Sequence, residues 1–202
     1  MAERRTVRGR PRGFDRDAAL GQAMTLFWER GYGGTSVSDL TGAMGIRPAS
    51  LYAAFGDKKT LFKEVVHAYG RSPQGTFAAA ALHEEPTARR AFARLLRDAA
   101  ARYAGAAHPP GCLVISAATN LPAGDEEIAA FLRERRDANK AAFRERLEAA
   151  RDAGELPAAA DPNALAGYFA AVVQGMSQQA RDGAGEAELA RIADCAMAAW
   201  PG

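Results

Sequence analysis

Three kinds of side chain in this sequence are able to carry chemistry: thiols, imidazoles and a group of guanidiniums near the N-terminus. The two cysteines, Cys112 and Cys195, have no metal-ligand spacing, and His67, His83 and His108 do not cluster. The sequence contains no phosphate-binding glycine loop, dinucleotide glycine pattern, zinc-protease motif or nucleophile elbow. We therefore expect no metal site and no cofactor, and we expect that the protein is not an enzyme.

The guanidiniums form a basic arm at the start of the chain. Residues 1–12 carry five arginines and one glutamate, whereas the whole chain of 202 residues has a net charge of only +2. A short basic arm on a nearly neutral body is the electrostatic footprint of a local contact with nucleic acid. Arg8, Arg10 and Arg12 could reach a narrow minor groove, where the negative potential is strongest. A solubilising tail with no binding role is the alternative interpretation.

The composition supports a folded body behind this arm, with 48% hydrophobic residues and 25% charged residues. The sequence contains no run of 18 apolar residues, so it predicts no membrane span. The N-terminus also lacks the apolar segment of a signal peptide. We therefore expect a cytoplasmic protein with a buried core.

Residues 36–55 predict two short helices separated by a glycine turn. Ser36 and Asp39 have the spacing of a capping box, which starts the first helix. Gly45 ends this helix because a tight turn needs a residue that tolerates positive φ, and Pro48 suits the first turn of the next one. Two short helices joined in this way form a helix-turn-helix, whose second helix enters the major groove of DNA. An ordinary helical hairpin is the alternative.

The second of these helices has an outer face that suits DNA. Leu51 and Phe55 fall on its inner side, whereas Ala49, Ser50 and Tyr52 fall on its outer side. The small alanine allows close approach, and the two hydroxyl groups are able to bond phosphate oxygens. A face exposed only to solvent would carry more charge in this chain.

Residues 14–66 resemble the DNA-binding domain of the TetR/AcrR family of bacterial transcriptional repressors. The matching stretches are AALGQAMTLFWERGYGGTSVSDLTGAMGI and SLYAAFGDKKTLF. The resemblance implies phosphate contacts by Thr35, Ser36, Tyr52 and Lys58. It implies base contacts at the positions of Arg47, Pro48 and Ala49. These last residues depart from the usual family pattern, so the operator sequence cannot be copied from a relative.

The rest of the chain predicts a second, larger helical domain, and the expected fold class is all-α. We divide the chain into a flexible basic arm over residues 1–13, a three-helix DNA-binding domain over residues 14–71 and a C-terminal helical domain over residues 72–202. The resemblance implies that the C-terminal domain binds a ligand and dimerises. Residues 112–122 are mostly apolar and fit either a buried helix or a strand.

A homodimer is expected for two reasons. TetR-like proteins commonly form a four-helix bundle with their last two helices, which here correspond to about residues 161–183 and 185–200. Two copies of the reading helix also contact twice as many bases as one. Small residues on these helices allow close approach, although the same apolar stripes could close the core of one subunit instead. The predicted interface residues are Ala166, Phe169, Ala170, Val173, Ser177, Leu189, Ile192 and Ala196.

The expected function is a repressor that binds a palindromic operator and is released by a small-molecule effector. The candidate effector contacts are aromatic and uncharged polar residues of the C-terminal domain, namely Phe92, Tyr103, Asn120, Phe131, Tyr168 and Gln174. Such aromatics also fill cores, so packing is their alternative role.

Two other functions stay open. One is an oxidant- or electrophile-responsive repressor that uses Cys112, which lies at a predicted helix N-terminus where the dipole favours thiolate. Apolar neighbours at Leu113, Val114 and Ile115 predict the opposite effect, because burial raises the pKa of a thiol. The other function is that of an architectural DNA-binding protein without a ligand.

Overall fold

The computed structural model describes residues 14–119 and 121–201, so Arg8, Arg10 and Arg12 of the arm and Asn120 lie outside the described residues. The described chain forms ten helices and no strand, which confirms the all-α prediction. The first four helices are α1 Arg16–Arg30, α2 Val37–Met44, α3 Pro48–Phe55 and α4 Lys58–Gly70. The other six are α5 Pro73–Glu84, α6 Ala88–Tyr103, α7 Leu113–Ser116, α8 Glu126–Asp152, α9 Pro162–Arg181 and α10 Glu186–Ala198.

Local capping signals set the ends of the first helices. Asp15 accepts hydrogen bonds from two backbone N–H groups at the start of α1, and the capping box of Ser36 and Asp39 starts α2. Gly45 ends α2 with a φ of 62°, a left-handed conformation that glycine adopts without steric strain. This glycine allows the tight turn that places α3 next to α2.

The apolar segment after Cys112 forms a shorter helix than the sequence predicts. Helix α7 has only four residues, and turns follow it. Gly111 lies before it with a φ of 79°, and a Cβ at this position would come within 2.6 Å of the carbonyl oxygen of Ser177 in α9. The chain therefore enters α7 through a close contact with α9, and Pro122 and Gly124 soon interrupt any further helix.

Two apolar cores support the helices, and the first core crosses the predicted domain boundary at residue 71. It contains Phe27, Leu40, Leu51 and Phe62 from the first four helices. It also contains residues from α7, α8 and the turn between them, namely Leu113, Ala117, Ile128 and Leu132. The second core lies mainly among α5, α6, α8, α9 and α10. The two predicted domains therefore share buried contacts.

Hydrogen bonds also connect the first four helices to the later ones. Arg181 at the end of α9 donates to the carbonyl oxygen of Trp28 in α1 at 3.0 Å. Tyr69 of α4 donates to Sγ of Cys112 at 3.3 Å, and the backbone N–H of Cys112 donates to Oγ of Ser177 in α9 at 2.8 Å. A displacement of α4 relative to α9 must therefore change the contacts of the cysteine segment between them.

Candidate nucleic-acid interface and inner cavity

Helix α3 exposes the side that the sequence predicts to face DNA. Leu51 is fully buried and Phe55 is only 2% exposed, so the helix rests on its apolar side. Tyr52 is 51% exposed although it is a large aromatic residue. Ser50 is half-buried beside it, and the remaining exposed residues here are Arg47, Pro48, Ala49 and Ala53. Small side chains around one projecting tyrosine form the kind of helix face that fits a major groove.

An arginine clamp, formed by Arg16 and Glu64, holds α3 in place. The guanidinium of Arg16 in α1 donates to both carboxylate oxygens of Glu64 in α4, at 2.6 and 2.8 Å. It also donates to the carbonyl oxygen of Ala54 at 3.3 Å and lies 4.5 Å from the ring centre of Phe55. The hydrogen bond with Glu64 raises the pKa of Arg16, so the arginine stays charged. The clamp thus joins the last turn of α3 to α1 and α4.

The two predicted phosphate contacts before α2 have different surroundings. Ser36 is exposed, and its hydroxyl accepts a hydrogen bond from the backbone N–H of Asp39 at 3.0 Å. Thr35 is fully buried, and its hydroxyl donates to the carbonyl oxygen of Gly31 at 2.8 Å. The prediction that the Thr35 side chain contacts phosphate therefore needs correction. Its hydroxyl stabilises the turn between α1 and α2, because the side chain does not reach the surface.

The two cationic residues next to α3 also differ. Lys58 is half-buried, with its Nζ 4.1 Å from the ring centre of Tyr32. Burial lowers the pKa of Lys58, and nearby Asp125 acts in the opposite direction. Arg47 is exposed at the N-cap of α3, and its side chain makes no capping hydrogen bond. Arg47 is thus the more accessible cation of the two.

A cavity of about 450 Å³ lies where the end of α4 meets the C-terminal helices. Its wall comes from α4, α5, α6, α8 and α9 and from the segment around α7. Its apolar surface includes Val66, Phe77, Tyr103, Ile115, Phe143 and Val173. The volume falls within the range of roughly 300–1,000 Å³ that is typical of sites for small organic ligands.

The cavity wall also contains cationic residues that the sequence analysis did not select. These residues are Arg71, Arg135, Arg136 and Lys140. The sequence of α8 contains a signal for Arg135, Arg136 and Lys140. The apolar stripe of this helix passes through Leu132 and resumes only at Phe143, and these three basic residues lie between them and line the cavity. Such an interruption in a long amphipathic helix indicates a polar space instead of a closed core.

Two of the predicted effector contacts, Tyr103 and Gln174, line this cavity. The other described ones lie elsewhere. Phe92 is fully buried in the second core, Phe131 packs against the first core, and Tyr168 is 40% exposed on the outside of α9. These three predictions are corrected, since an aromatic side chain suits a core, a cavity or an exposed face equally well by type alone.

Cys112 forms part of the cavity wall. Its Sγ accepts the hydrogen bond from Tyr69, which favours the thiolate, as do the backbone N–H groups of Ile115 and Val114. Burial outweighs these contributions and raises the pKa of Cys112. This is the direction expected from the apolar neighbours of Cys112.

The predicted dimer residues divide by burial. Five of them are buried inside their own chain and cannot form a surface for a partner, namely Ala166, Phe169, Ser177, Leu189 and Ala196. Ala170 and Val173 line the inner cavity, and Ile192 is half-buried. For these positions the alternative interpretation holds, because the stripes on α9 and α10 close the core of one subunit.

The outer side of α9 carries small residues in place of charged ones. We call it the small-residue face, and it comprises Ala164, Tyr168, Ala171 and Gly175, which are exposed and recur every three or four residues. Exposed Ala187, Cys195 and Ala198 lie on the outer side of α10. The exposed side of α8, by contrast, is rich in arginine and glutamate. The sequence did not predict this face, because by pattern alone the most apolar stripe of each helix is the one that fits an interface.

Within residues 14–119 and 121–201, no group of three or more His, Cys, Asp and Glu side chains is arranged to hold a metal ion. None of the helices in that part of the chain is both long enough and apolar enough to cross a membrane.

Two family models match the chain in succession. Residues 19–65 match the model described as bacterial regulatory proteins, tetR family. Residues 86–195 match the model described as tetracyclin repressor-like, C-terminal domain. The first match includes the whole helix-turn-helix, and the second includes most of the helices around the inner cavity.

Curated relatives and solved structures agree with these matches. The chain is 36% identical over 194 residues to the HTH-type transcriptional repressor ComR of Escherichia coli K12. The aligned region covers 96% of this chain and 92% of ComR. It is 38% identical over 112 residues to the HTH-type transcriptional repressor BdcR of the same organism, and this aligned region covers 54% of this chain and 55% of BdcR. A solved complex of the TetR family transcriptional regulator CifR, in a cysteine-substituted form, contains a 26-bp operator DNA duplex. Its similarity to this chain has a TM-score of 0.90 at 42% identity, with 95% of this chain and 100% of that one covered.

Proposed function

The chain belongs to the tetR family of bacterial regulatory proteins and is a helix-turn-helix transcriptional regulator, and we propose that it represses transcription as a homodimer on a palindromic operator. A small molecule bound in the inner cavity releases it from the DNA. The place of action in this proposal is the cytoplasm, where a bacterial operator is accessible. The relatives are regulators, and no catalytic step belongs to the proposed function.

The observation that carries the DNA-binding proposal is the exposed side of α3. Its small residues let the helix approach base edges closely, and Arg47 at its start supplies donors for them. We assign base contacts to Arg47, Pro48 and Ala49. We assign phosphate contacts to Ser36, Ser50, Tyr52 and Lys58. From the sequence of the arm, we assign minor-groove contacts to Arg8, Arg10 and Arg12.

The small-residue face of α9 is the proposed contact with a second copy of the chain. Ala164, Ala171 and Gly175 let a second helix approach closely, and Tyr168 contributes aromatic surface beside them. A dimer is also what the reading helix requires, because α3 has only eight residues and contacts few bases by itself. This face replaces the interface residues that the sequence predicted.

The cavity lies where a ligand can act on the reading helices. Its wall includes Tyr69 and Arg71 at the end of α4, together with Gln74 and Thr76 at the start of α5. Gly75 allows α5 to begin directly against α4, because a Cβ there would overlap the carbonyl oxygen of Tyr69. A ligand that shifts the end of α4 changes the distance between the two α3 helices of a dimer. A coupling free energy of about 1–3 kcal/mol is typical of such switches.

Selection of bound duplexes from a random DNA pool by the purified full-length protein tests the proposal. We expect an enriched sequence with two half-sites related by two-fold symmetry and spaced by about one helical turn or a multiple of it. In a titration, the enriched duplex should bind an even number of chains, and a duplex with one half-site should bind far more weakly. Enrichment of no sequence, or equal affinity for the single half-site, would reject the proposal.

One observation favours a second mode of control, since Cys112 forms part of the cavity wall. An oxidant or electrophile that reached this thiol would act in place of a noncovalent effector. Burial raises the pKa of Cys112, however, and so opposes the reactive thiolate. We therefore rank the noncovalent effector first. No observation favours the architectural alternative without a ligand.

A further inference from the structure

The charges of the inner cavity are of one sign. Among the described residues that line it, Arg71, Arg135, Arg136 and Lys140 carry cationic groups and none carries a carboxylate. The chain as a whole is almost balanced, with 26 basic and 24 acidic residues. The charge balance of the cavity wall, with four cations and no carboxylate, therefore differs from that of the whole chain.

Most of the partly buried arginines elsewhere in the described chain have an oxygen acceptor, either a carboxylate or a backbone carbonyl. Arg16 pairs with Glu64 at 2.6 Å, and Arg94 pairs with Glu84 at 2.9 Å. On the cavity wall, Arg135 pairs with its sequence neighbour Glu134 at 3.0 Å. None of the ion pairs in the described residues involves the other three cavity cations. The cavity wall thus holds three cations that have no carboxylate partner among the described residues.

Arg136 shows the imbalance most clearly. Its Nη1 atom is buried and has no hydrogen-bond partner among the described residues. Burial lowers the pKa of Arg136, and the nearby charge of Asp137 opposes this effect only in part. A guanidinium that has lost water without gaining an acceptor is unfavourable, and an anion bound in the cavity would supply the acceptor.

The start of α5 adds to the same field. Gln74, Gly75 and Thr76 lie in the first turn of this twelve-residue helix and line the cavity. The first turn of a helix carries a partial positive charge. It therefore adds to the positive potential of the cavity wall and favours an anionic ligand there.

The remaining wall is apolar and aromatic. Phe77, Tyr103 and Phe143 line the cavity together with Val66 and Ile115. An inorganic anion would leave this surface in contact with water, whereas an apolar body attached to the anion would cover it. The volume of about 450 Å³ accommodates a substituted aromatic ring or a short acyl chain.

We infer that the effector of this protein is an amphipathic organic anion, whose carboxylate or similar group pairs with Arg136 and Lys140 while its apolar body packs against Phe77, Tyr103 and Phe143. The inference rests on the proposed function, in which the cavity is the effector site. Such a ligand bridges α8 to the ends of α4 and α5. It thereby connects the anion to the helix that follows the reading helix.

Fluorescence titration with anilinonaphthalene sulfonate, an apolar organic anion, tests the inference on the full-length protein. We expect saturable binding that Arg136→Gln weakens by about tenfold, because one charge-assisted hydrogen bond is lost. Lys140→Gln should weaken it to a smaller extent. The matched control is Arg133→Gln, which removes an exposed charge from the same helix outside the cavity wall and should leave binding unchanged. Phenylacetate should displace the dye at concentrations at which its neutral isostere phenylacetamide does not.

Several results would overturn the inference. These are the absence of dye binding, equal binding by the wild type and both cavity variants, and equal displacement by phenylacetate and phenylacetamide. If Arg136→Gln does not fold by circular dichroism, Lys140→Gln decides, since its side chain is exposed and its loss leaves the core intact. Release from DNA by a neutral electrophile alone, abolished in Cys112→Ser, would also overturn it.

Operator binding by the same preparations separates the two proposals. If the full-length protein selects an operator but fails the dye and phenylacetate tests, only the inference about the effector is rejected. If it selects no operator, the proposed function is rejected whatever the dye shows.

Discussion

The exposed side of α3, which is the proposed DNA-binding surface, and the inner cavity differ in how far apart in the sequence their parts lie. The surface comes from one helix of eight residues, held by the ion pair of Arg16 in α1 and Glu64 in α4. The cavity takes its wall from segments spread between Val66 and Gln174. On the surface, Arg47 is exposed and Arg16 is paired with Glu64, whereas the cavity keeps Arg136 partly buried with no acceptor for its Nη1 atom among the described residues.

This difference separates two ways of binding an anion. A reading surface works with exposed donors that water solvates until DNA replaces it, so its affinity depends strongly on salt. A partly buried cation in a cavity, such as Arg136, gains more from an ion pair because screening is weaker there. The first arrangement suits a long polyanion, and the second suits a small ligand that must compete with DNA from a distance.

The largest effect is expected from a loss of the dimer, because operator binding needs a second copy of the chain whereas ligand binding in the cavity does not. Ala171→Arg places a long cation on the small-residue face, so we expect dimer loss and operator binding weakened by about a hundredfold or more, because bivalent binding is lost. Dye binding in the cavity should persist, since the cavity belongs to one chain. Light scattering and fluorescence anisotropy with operator DNA measure the two effects.

The matched control for this change is Ala101→Arg, which adds the same charge to an exposed position of α6. It should leave both the dimer and the operator affinity intact. An intact dimer in Ala171→Arg would place the interface on another face.

A second prediction concerns the arm. Deletion of residues 1–12 should weaken operator binding by about tenfold at physiological salt, and it should flatten the dependence of log K on log salt by about 2.7 if three arginines contact phosphates. The double variant Arg89→Ala/Arg97→Ala removes exposed arginines from α6 as a control and should leave the slope unchanged. An unchanged slope in the deletion would assign the arm to solubility alone.

A smaller effect is expected for the exposed tyrosine of α3. Tyr52→Phe should weaken operator binding by about 1 kcal/mol, the usual net value of one hydrogen bond. The thermal midpoint should not change, because the side chain is 51% exposed and the ring remains. Tyr103→Phe makes the same chemical change in the cavity and should alter ligand affinity but not operator affinity. An equal loss of operator affinity in both variants would break the distinction between the two regions.

The smallest effect is expected for the cavity thiol. Cys112→Ser should keep operator affinity within about twofold, since a protonated thiol and a hydroxyl are similar in shape and charge. Gel-shift titration with and without peroxide measures it, and peroxide-triggered release in the wild type alone would make Cys112 the sensor.

The same thiol predicts a pH dependence of stability. Burial raises the pKa of Cys112 in the folded state, so the folded state holds the proton more tightly than the unfolded state. Its contribution to stability is complete below the ordinary pKa of a thiol and decreases as the pH rises above that value. Urea titrations across this range should show a smaller decrease in Cys112→Ala than in the wild type.

The sequence predicted the first four helices well because their signals lie close together in the chain. Ser36 and Asp39 formed the expected capping box, and Gly45 adopted the left-handed turn. It predicted the later helices but did not decide whether the apolar stripes of α9 and α10 face the core or a partner. Leu189 and Phe169 satisfied the pattern of an interface and became core instead.

Single-residue predictions at the two sites succeeded where neighbouring residues decided the burial of a side chain, and failed where other segments decided it. Tyr52 was predicted to be exposed because its neighbours at helical spacing were apolar and had to face inward. Thr35 was assigned to phosphate by resemblance, yet its burial depends on the turn between two helices. The interrupted apolar stripe of α8 shows that the positions near Arg136 are polar, but the space beside Arg136 depends on α4, α5 and α9.

The sequence by itself determined the all-helical class, the caps and turns of the helix-turn-helix, and the concentration of arginines in the arm. These features depend on backbone preferences and side chains within about one helical turn of each other. Only the tertiary structure decided that Thr35 is buried, that α9 keeps its small residues on the outside, and that four cations share one cavity. Burial and electrostatic compensation depend on side chains brought together from distant parts of the chain, so no local pattern contains them.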